Sequence, residues 1–149
     1  MKPINEMSVS FLSCSANESF GRAAVAAFAA QLDPTIDELS DIKTAVSEAV
    51  TNCIVHAYRN TIGIIYITCK LYDNGKISIR IRDKGCGIED VEKAMQPLFT
   101  TAQDEERAGL GFAVMESFMD TLRVTSKVGH GTSVTMYKTI ERRQTEKNH

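Results

Sequence analysis

An α+β architecture, with helices packed on one face of a mixed, mainly antiparallel sheet, follows from three features of the chain. Two pairs of strand-like runs are joined by short glycine turns: Asp73-Asn74-Gly75 between 63–72 and 76–82, and Gly129-His130-Gly131 between 122–127 and 133–137. Two capped helical segments lie between a first alternating run and those hairpins. The resulting order, strand-helix-helix-strand-strand-helix-loop-helix-strand-strand, has few of the strand-helix-strand crossovers that a parallel sheet needs.

The first strand is expected over 7–13, where Met7, Val9 and Phe11 alternate with Ser8 and Ser10. Ser15 with Glu18 has the spacing of a capping box, and Asn17 is an equally good cap, so a helix should begin there. It should run to about Leu32, with Phe20, Ala24, Ala27 and Phe28 on one face, and Asp33-Pro34 should stop it. Its alanines leave it weakly polar nearly all round, the pattern of a helix with more than one neighbour. Thr35 and Glu38 repeat the capping-box spacing before a long helix over 36–58, with Leu39, Ile42, Val46, Ala49, Val50 and Cys53 along its inner stripe. The Asn-Gly hairpin follows, then a short helix over 89–95. A polar stretch over 96–108 has no period and reads as a loop. A helix from 109 to about 119 precedes the last hairpin, and 139–149 reads as a charged tail on a single domain spanning 1–149.

Composition narrows the class. The chain has 149 residues, 43% hydrophobic and 24% charged, with a formal net charge of -2. That balance does not predict a phosphate-neutralising surface for nucleic acid. No apolar run approaches the roughly 20 residues of a membrane span, and the N-terminus lacks the apolar core of a signal peptide. The four cysteines, Cys14, Cys53, Cys69 and Cys86, have no C-x-x-C spacing and no cluster with histidines, which argues against a zinc site or a disulfide scaffold. A cytoplasmic protein is the expectation.

The long helix carries Glu48, Asn52 and His56, each four residues after the last, so a carboxylate, an amide and an imidazole share one face. Neighbours at that spacing have Cβ atoms about 5–6 Å apart. Alone, E-x-x-x-N describes a solvated helix face as well as it describes a site. Asp83 has the parity of Ile77, Ile79 and Ile81, so it continues the buried face of its strand. A buried carboxylate needs a donor, and the alternative is an Asp that simply begins a turn. Gly85-Cys86-Gly87 beyond it lets a ligand approach the backbone closely. Gly109-Leu110-Gly111 opens a helix, where free N–H groups and the helix dipole suit a phosphate. There is no Rossmann or Walker-A fingerprint, and no H-R-D or D-F-G.

Taken in order, these motifs resemble the Bergerat ATP-binding fold of type II topoisomerases, the large heat-shock chaperone, histidine kinases and mismatch-repair ATPases. The segments 47–52 (S-E-A-V-T-N), 56–58 (H-A-Y), 83–88 (D-K-G-C-G-I), 96–101 (Q-P-L-F-T-T) and 107–112 (R-A-G-L-G-F) narrow the likeness. Over about 8–137 the chain is similar to the anti-sigma-F factors of spore-forming bacteria.

That resemblance implies a fold, an activity and roles. Asn52 matches the magnesium ligand and Glu48 the general base that takes the proton of a serine hydroxyl. Asp83 matches the acceptor for the adenine amino group, with Gly85 and Gly87 against the purine and Thr132 as a hydroxyl partner on the same edge, often through water. Residues 96–108 match an ATP lid, with Thr100 and Thr101 near the phosphates, Arg107 answering the γ-phosphate, and Gly109, Leu110, Gly111 and Phe112 closing over them. His56 fits either a phosphate-side role or packing. Arg22, on the first helix, matches a partner-binding arginine, and the first strand and helix match a homodimer contact. The implied activity is a Mg²⁺- and ATP-dependent serine kinase that binds a sigma factor and phosphorylates an anti-anti-sigma factor, with no direct nucleic-acid or membrane partner. Many relatives carry Lys-Pro after the threonine pair, where this chain has Ala102-Gln103. An ATP-gated binding module would need Asn52, Asp83 and the glycines but not Glu48. A histidine kinase fragment would need a phosphoacceptor hairpin upstream, and a topoisomerase or mismatch-repair ATPase a transducer domain downstream; neither is expected here.

Overall fold

The computed structural model describes residues 1–96 and 111–141. Five strands form one sheet: β1 (Asn5–Leu12), β2 (Ile64–Leu71), β3 (Lys76–Arg82), β4 (Thr121–Lys127) and β5 (Gly131–Thr139). Their spatial order is β1-β2-β3-β5-β4, and all four pairings are antiparallel. The sheet is thus antiparallel throughout its described strands. Four α-helices, α1 (Asn17–Ala29), α2 (Ile36–Asn52), α3 (Val91–Ala94) and α4 (Phe112–Phe118), with a 3₁₀ turn at Ala30–Leu32 and a π turn at Cys53–Ala57, complete the described elements.

Alternation decides which face is covered. Ile65, Ile67, Ile77, Ile79, Ile81 and Met136 point to the helix layer and are at most 1% exposed. Against them lie Val25 of α1, Ile42, Val46 and Val50 of α2 and Met115 of α4, each fully buried. Removal of such side chains from water is the main stabilising contribution, roughly 1.5–3 kcal/mol for each large one. The opposite sheet face carries Ser, Thr, Tyr, Lys and Arg, with Arg82 stacked 4.8 Å over the Tyr66 ring. No helix of the described residues is long and apolar enough to cross a membrane.

The capping box at Thr35 is formed in both directions: the Thr35 hydroxyl accepts from the Glu38 N–H at 3.0 Å, and the Glu38 carboxylate accepts from the Thr35 N–H at 2.8 Å. The one expected at Ser15 is not. Ala16 is the cap residue, already helical, and the Ser15 carbonyl takes the Glu18 N–H at 3.2 Å. The Glu18 carboxylate instead pairs with Arg22 at 3.1 Å, one turn on.

The inner stripe of α1 also differs from expectation. Gly21, Val25 and Ala29 are buried, whereas Phe20 is 51% exposed and touches the Phe11 ring edge-on. The cause is Gly21: a Cβ there would stand 2.9 Å from Phe11 Cζ, so its absence lets α1 lie close on β1 along that side. The helix tightens into a 3₁₀ turn at Ala30–Leu32 and stops at Asp33, whose φ of 54° is left-handed. The long second helix is regular only to Asn52; Cys53–Ala57 form a π turn closed by the Tyr58 N–H on the Cys53 carbonyl at 3.0 Å. At the other end, the expected tail begins too early. Thr139 belongs to β5, and Ile140 is 2% exposed with its N–H on the Gly75 carbonyl at 2.8 Å.

Candidate functional site

A cavity of about 200 Å³ opens where the C-terminal end of α2 and its π turn face the ends of β3 and β5. Asn52, Cys53 and His56 line it from the helix, Asp83 and Thr132 from the sheet, and Gly87 and Ile88 from the loop after β3. Phe112, 2% exposed, closes one side as the first residue of α4. The π turn is the local cause. It widens the helix by one residue, and Asn52, Cys53, His56 and Ala57 all reach the same cavity.

Asp83 is 6% exposed, as its parity requires. Its Oδ1 accepts from the Gly85 N–H at 2.9 Å and the Thr132 N–H at 3.2 Å, and its Oδ2 from the Cys53 thiol at 3.5 Å. Burial pushes this carboxyl up from its ordinary value, and those three donors pull it part of the way back. The chain therefore supplies Oδ1 with two backbone donors, while Oδ2 accepts from a weak thiol. Thr132 is 9% exposed, and its hydroxyl lies 2.8 Å from that of Ser126.

The two glycines of the loop serve the backbone first. A Cβ on Gly85 would meet the Ala57 carbonyl oxygen at 2.3 Å, and one on Gly87 (φ 78°) the Lys127 carbonyl oxygen at 2.3 Å. The loop is therefore clamped between the π turn and the last hairpin. Gly87 also lines the cavity, whereas Gly85 is not among its lining residues.

Glu48 stands one turn before Asn52 and borders the cavity rather than lining it. It faces Gly111 (φ 65°), where a Cβ would fall 2.2 Å from Glu48 Oε2. Burial raises the Glu48 carboxyl above its ordinary value, which makes its anion a better proton acceptor. Asn52 is 8% exposed at the helix end. Arg22 lies away from the cavity, bonded to Glu18 and to Ser47 Oγ, each at 3.1 Å. Thr100, Thr101, Arg107, Gly109 and Leu110 lie outside the described residues, as do Ala102 and Gln103.

Three residues that shape the site had no role in it assigned from the sequence. Cys53 forms its floor against Asp83. Tyr58 accepts the Lys84 N–H at 2.6 Å and donates to the Ile64 carbonyl at 2.7 Å, tying the loop to β2. Ser126 has the inward parity of Leu122 and Val124, a polar residue in an apolar register, and that signal was legible.

Comparison with known proteins gives the fold and the lineage of the chain. The model of the histidine kinase-like ATPase domain family matches residues 17–138. An anti-sigma F factor of Caldanaerobacter subterraneus is 67% identical over 138 residues, spanning 93% of this chain and 96% of that protein. One from Clostridium acetobutylicum is 52% identical over 134 residues, spanning 90% and 93%. Among solved structures, the RsbU and RsbW domains of a Mycobacterium tuberculosis protein align with a TM-score of 0.69 at 20% identity, over 94% of this chain and 33% of that one. The histidine kinase domain of a blue-light activated kinase from Erythrobacter litoralis gives 0.57 at 18%, over 83% and 60%. Those two likenesses show the fold, the family model marks it as a Bergerat-type ATPase fold, and the sequence identities show the lineage. The chain belongs to the anti-sigma F factor family and carries a histidine kinase-like ATPase domain.

Proposed function

We propose that this chain is a serine kinase that uses Mg-ATP to phosphorylate an anti-anti-sigma factor, and that it binds and restrains a sporulation sigma factor in the cytoplasm as a homodimer. The observation that carries the kinase half is Glu48. Its carboxylate is held against Gly111 at the rim of the cavity, one turn from Asn52, and burial makes it more basic. A module that only bound nucleotide would have no use for a base there.

In this reading the adenine enters the cavity with its amino group toward Asp83 Oδ2 and its edge toward Thr132. Cys53 and Phe112 exclude water from its faces. Among the described residues no group of three or more His, Cys, Asp or Glu side chains is placed to hold a metal. The fit is therefore to an ion that arrives with the nucleotide's phosphates and takes one hard carbonyl oxygen from Asn52, as Mg²⁺ commonly does. When bound, Mg²⁺ supplies neutralising charge at the phosphate oxygens. Glu48 accepts the proton of the serine hydroxyl while that oxygen forms its bond to the γ-phosphorus and ADP leaves. By family resemblance, Thr100, Thr101, Arg107, Gly109 and Leu110 answer the phosphates from the lid, and His56 stands on the phosphate side. Arg22, whose side chain is 37% exposed beside Ser47, is the proposed partner contact.

Transfer of labelled γ-phosphate from ATP to a purified anti-anti-sigma factor tests the reading. Wild-type protein should label a serine, and Glu48→Gln should bind ATP yet transfer about 10²–10⁴-fold more slowly. Wild-type rates in that variant would remove Glu48 as the base. Absence of transfer by the unmutated protein would leave an ATP-gated binding module.

A further inference from the structure

The hydroxyl of Ser126 makes three contacts beside the cavity. It accepts from the Ile88 N–H at 2.7 Å, lies 3.0 Å from the Gly131 carbonyl oxygen, and lies 2.8 Å from Thr132 Oγ1. A serine hydroxyl has one proton and two lone pairs. The Ile88 N–H takes one lone pair. The Gly131 carbonyl can only accept, so the serine proton goes there. One lone pair is left for Thr132, and the Thr132 hydroxyl must then donate its proton to Ser126. This is the one assignment that uses all three contacts.

The consequence lies on the other side of Thr132. With its proton committed to Ser126, Thr132 Oγ1 offers the cavity lone pairs alone. Its backbone N–H is already given to Asp83 Oδ1. Asp83 Oδ2, the neighbouring polar atom, is an acceptor as well. We infer that Ser126 is a specificity-determining residue: it locks Thr132 as an acceptor, so the sheet-side edge of the cavity presents two acceptors and no donor.

Such an edge suits a purine with an amino group at position 6, which has two N–H bonds to give, one for Asp83 Oδ2 and one for Thr132 Oγ1. It opposes a 6-oxo purine, whose carbonyl would face acceptors with no donor to meet it. Buried polar groups left unmatched in this way are costly, which is how hydrogen-bonding sites discriminate between close analogues. The inference rests on the proposed reading of the cavity as an adenine site and adds a residue that does not touch the base. Without the Ser126 hydroxyl, the Thr132 proton is free to turn into the cavity and meet a carbonyl.

Inosine triphosphate is the probe, since it replaces the adenine amino group by a carbonyl and otherwise changes only the adjacent ring nitrogen. Calorimetric titration gives the ratio of Kd for ITP to Kd for ATP. Ser126→Ala should lower that ratio by roughly tenfold, the worth of one hydrogen bond, with ATP affinity itself little moved. Ser126→Cys, which keeps the volume but accepts poorly, should lower it in the same direction and stands in if the alanine variant does not fold. Thr132→Val removes the hydroxyl without creating a donor, so it should leave the ratio high, and adding Ser126→Ala to it should change nothing further. Equal weakening of both nucleotides in Ser126→Ala and Ser126→Cys would make Ser126 purely structural and overturn the inference while the adenine reading stands. A wild-type ratio near one would overturn the adenine reading and this inference with it.

Discussion

Gly111→Ala joins the fold and the chemistry in one substitution. Gly111 has φ 65° at the start of α4, and its missing Cβ leaves the space that Glu48 occupies. An alanine forced into the left-handed region costs about 1–2 kcal/mol. Its Cβ would also stand 2.2 Å from Glu48 Oε2, 3.1 Å from Cδ and 3.2 Å from Cβ, so the whole glutamate side chain must leave its rotamer. An off-rotamer side chain adds roughly 0.5–1.5 kcal/mol. Together these predict a loss of about 1.5–3.5 kcal/mol in unfolding free energy. Gly129 provides the control: its φ is 82°, and a Cβ there would meet nothing within 4 Å, so Gly129→Ala should show the backbone cost alone. Urea unfolding of both variants isolates the Glu48 part as their difference. Phosphate transfer should fall at least tenfold in Gly111→Ala and remain normal in Gly129→Ala. Equal destabilisation of the two, or normal transfer in Gly111→Ala, would refute the account of Gly111 as the space for Glu48.

Glu48→Gln should raise stability near pH 7, because the folded state binds the Glu48 proton more tightly than the unfolded chain does. The destabilising contribution of the ionised group is present above the raised folded value and vanishes below the unfolded one, about 4.3, so the gain should fade as the pH drops toward 4; urea midpoints at both pH values check it. For the same reason, phosphate transfer by the parent should decline with acid at a higher pH than an ordinary glutamate would give, which a pH–rate profile measures. Asn52→Ala should abolish Mg-dependent ATP binding or turnover without unfolding the chain, and calorimetry with normal Mg-dependent affinity and normal turnover would remove the metal role. Thr35→Ala should cost about 1 kcal/mol through the lost capping box, read from thermal unfolding, with nucleotide affinity unchanged.

Local chemistry was legible where one signal met no competitor. The Thr35–Glu38 box and the Asn74-Gly75 turn stand where they were expected, and strand parity alone placed Asp83 in the interior. Signals with rivals went astray. Glu18 had both a cap and an arginine one turn away, and the arginine prevailed. On α1 the expected stripe followed Phe20 and Phe28, and a glycine moved it to Gly21, Val25 and Ala29 by admitting the Phe11 ring. The π turn had no marker, since one inserted residue leaves apolar spacing nearly unchanged over so short a run. The glycines after Asp83 suggested closeness to a ligand, whereas their tightest approach is to the carbonyls of Ala57 and Lys127, contacts between segments distant in sequence. Arg22 was assigned by resemblance; its pair with Glu18 has i, i+4 spacing, whereas its bond to Ser47 on another helix could not be foreseen from spacing.

The clamped loop has a consequence for how the molecule opens. The Cys86 N–H binds the Ala57 carbonyl at 3.1 Å, the Gly129 N–H binds the Cys86 carbonyl at 2.8 Å, and the Asp83 N–H binds the Thr132 carbonyl at 2.9 Å. Each of these amides stays hydrogen-bonded while the loop is wedged between the π turn and the hairpin. Hydrogen exchange at Cys86 and Gly129 should therefore report one shared opening event rather than two local ones. A ligand that binds only the closed form should slow both amides by the same factor, set by its concentration over its Kd, although Gly129 lies on the far hairpin.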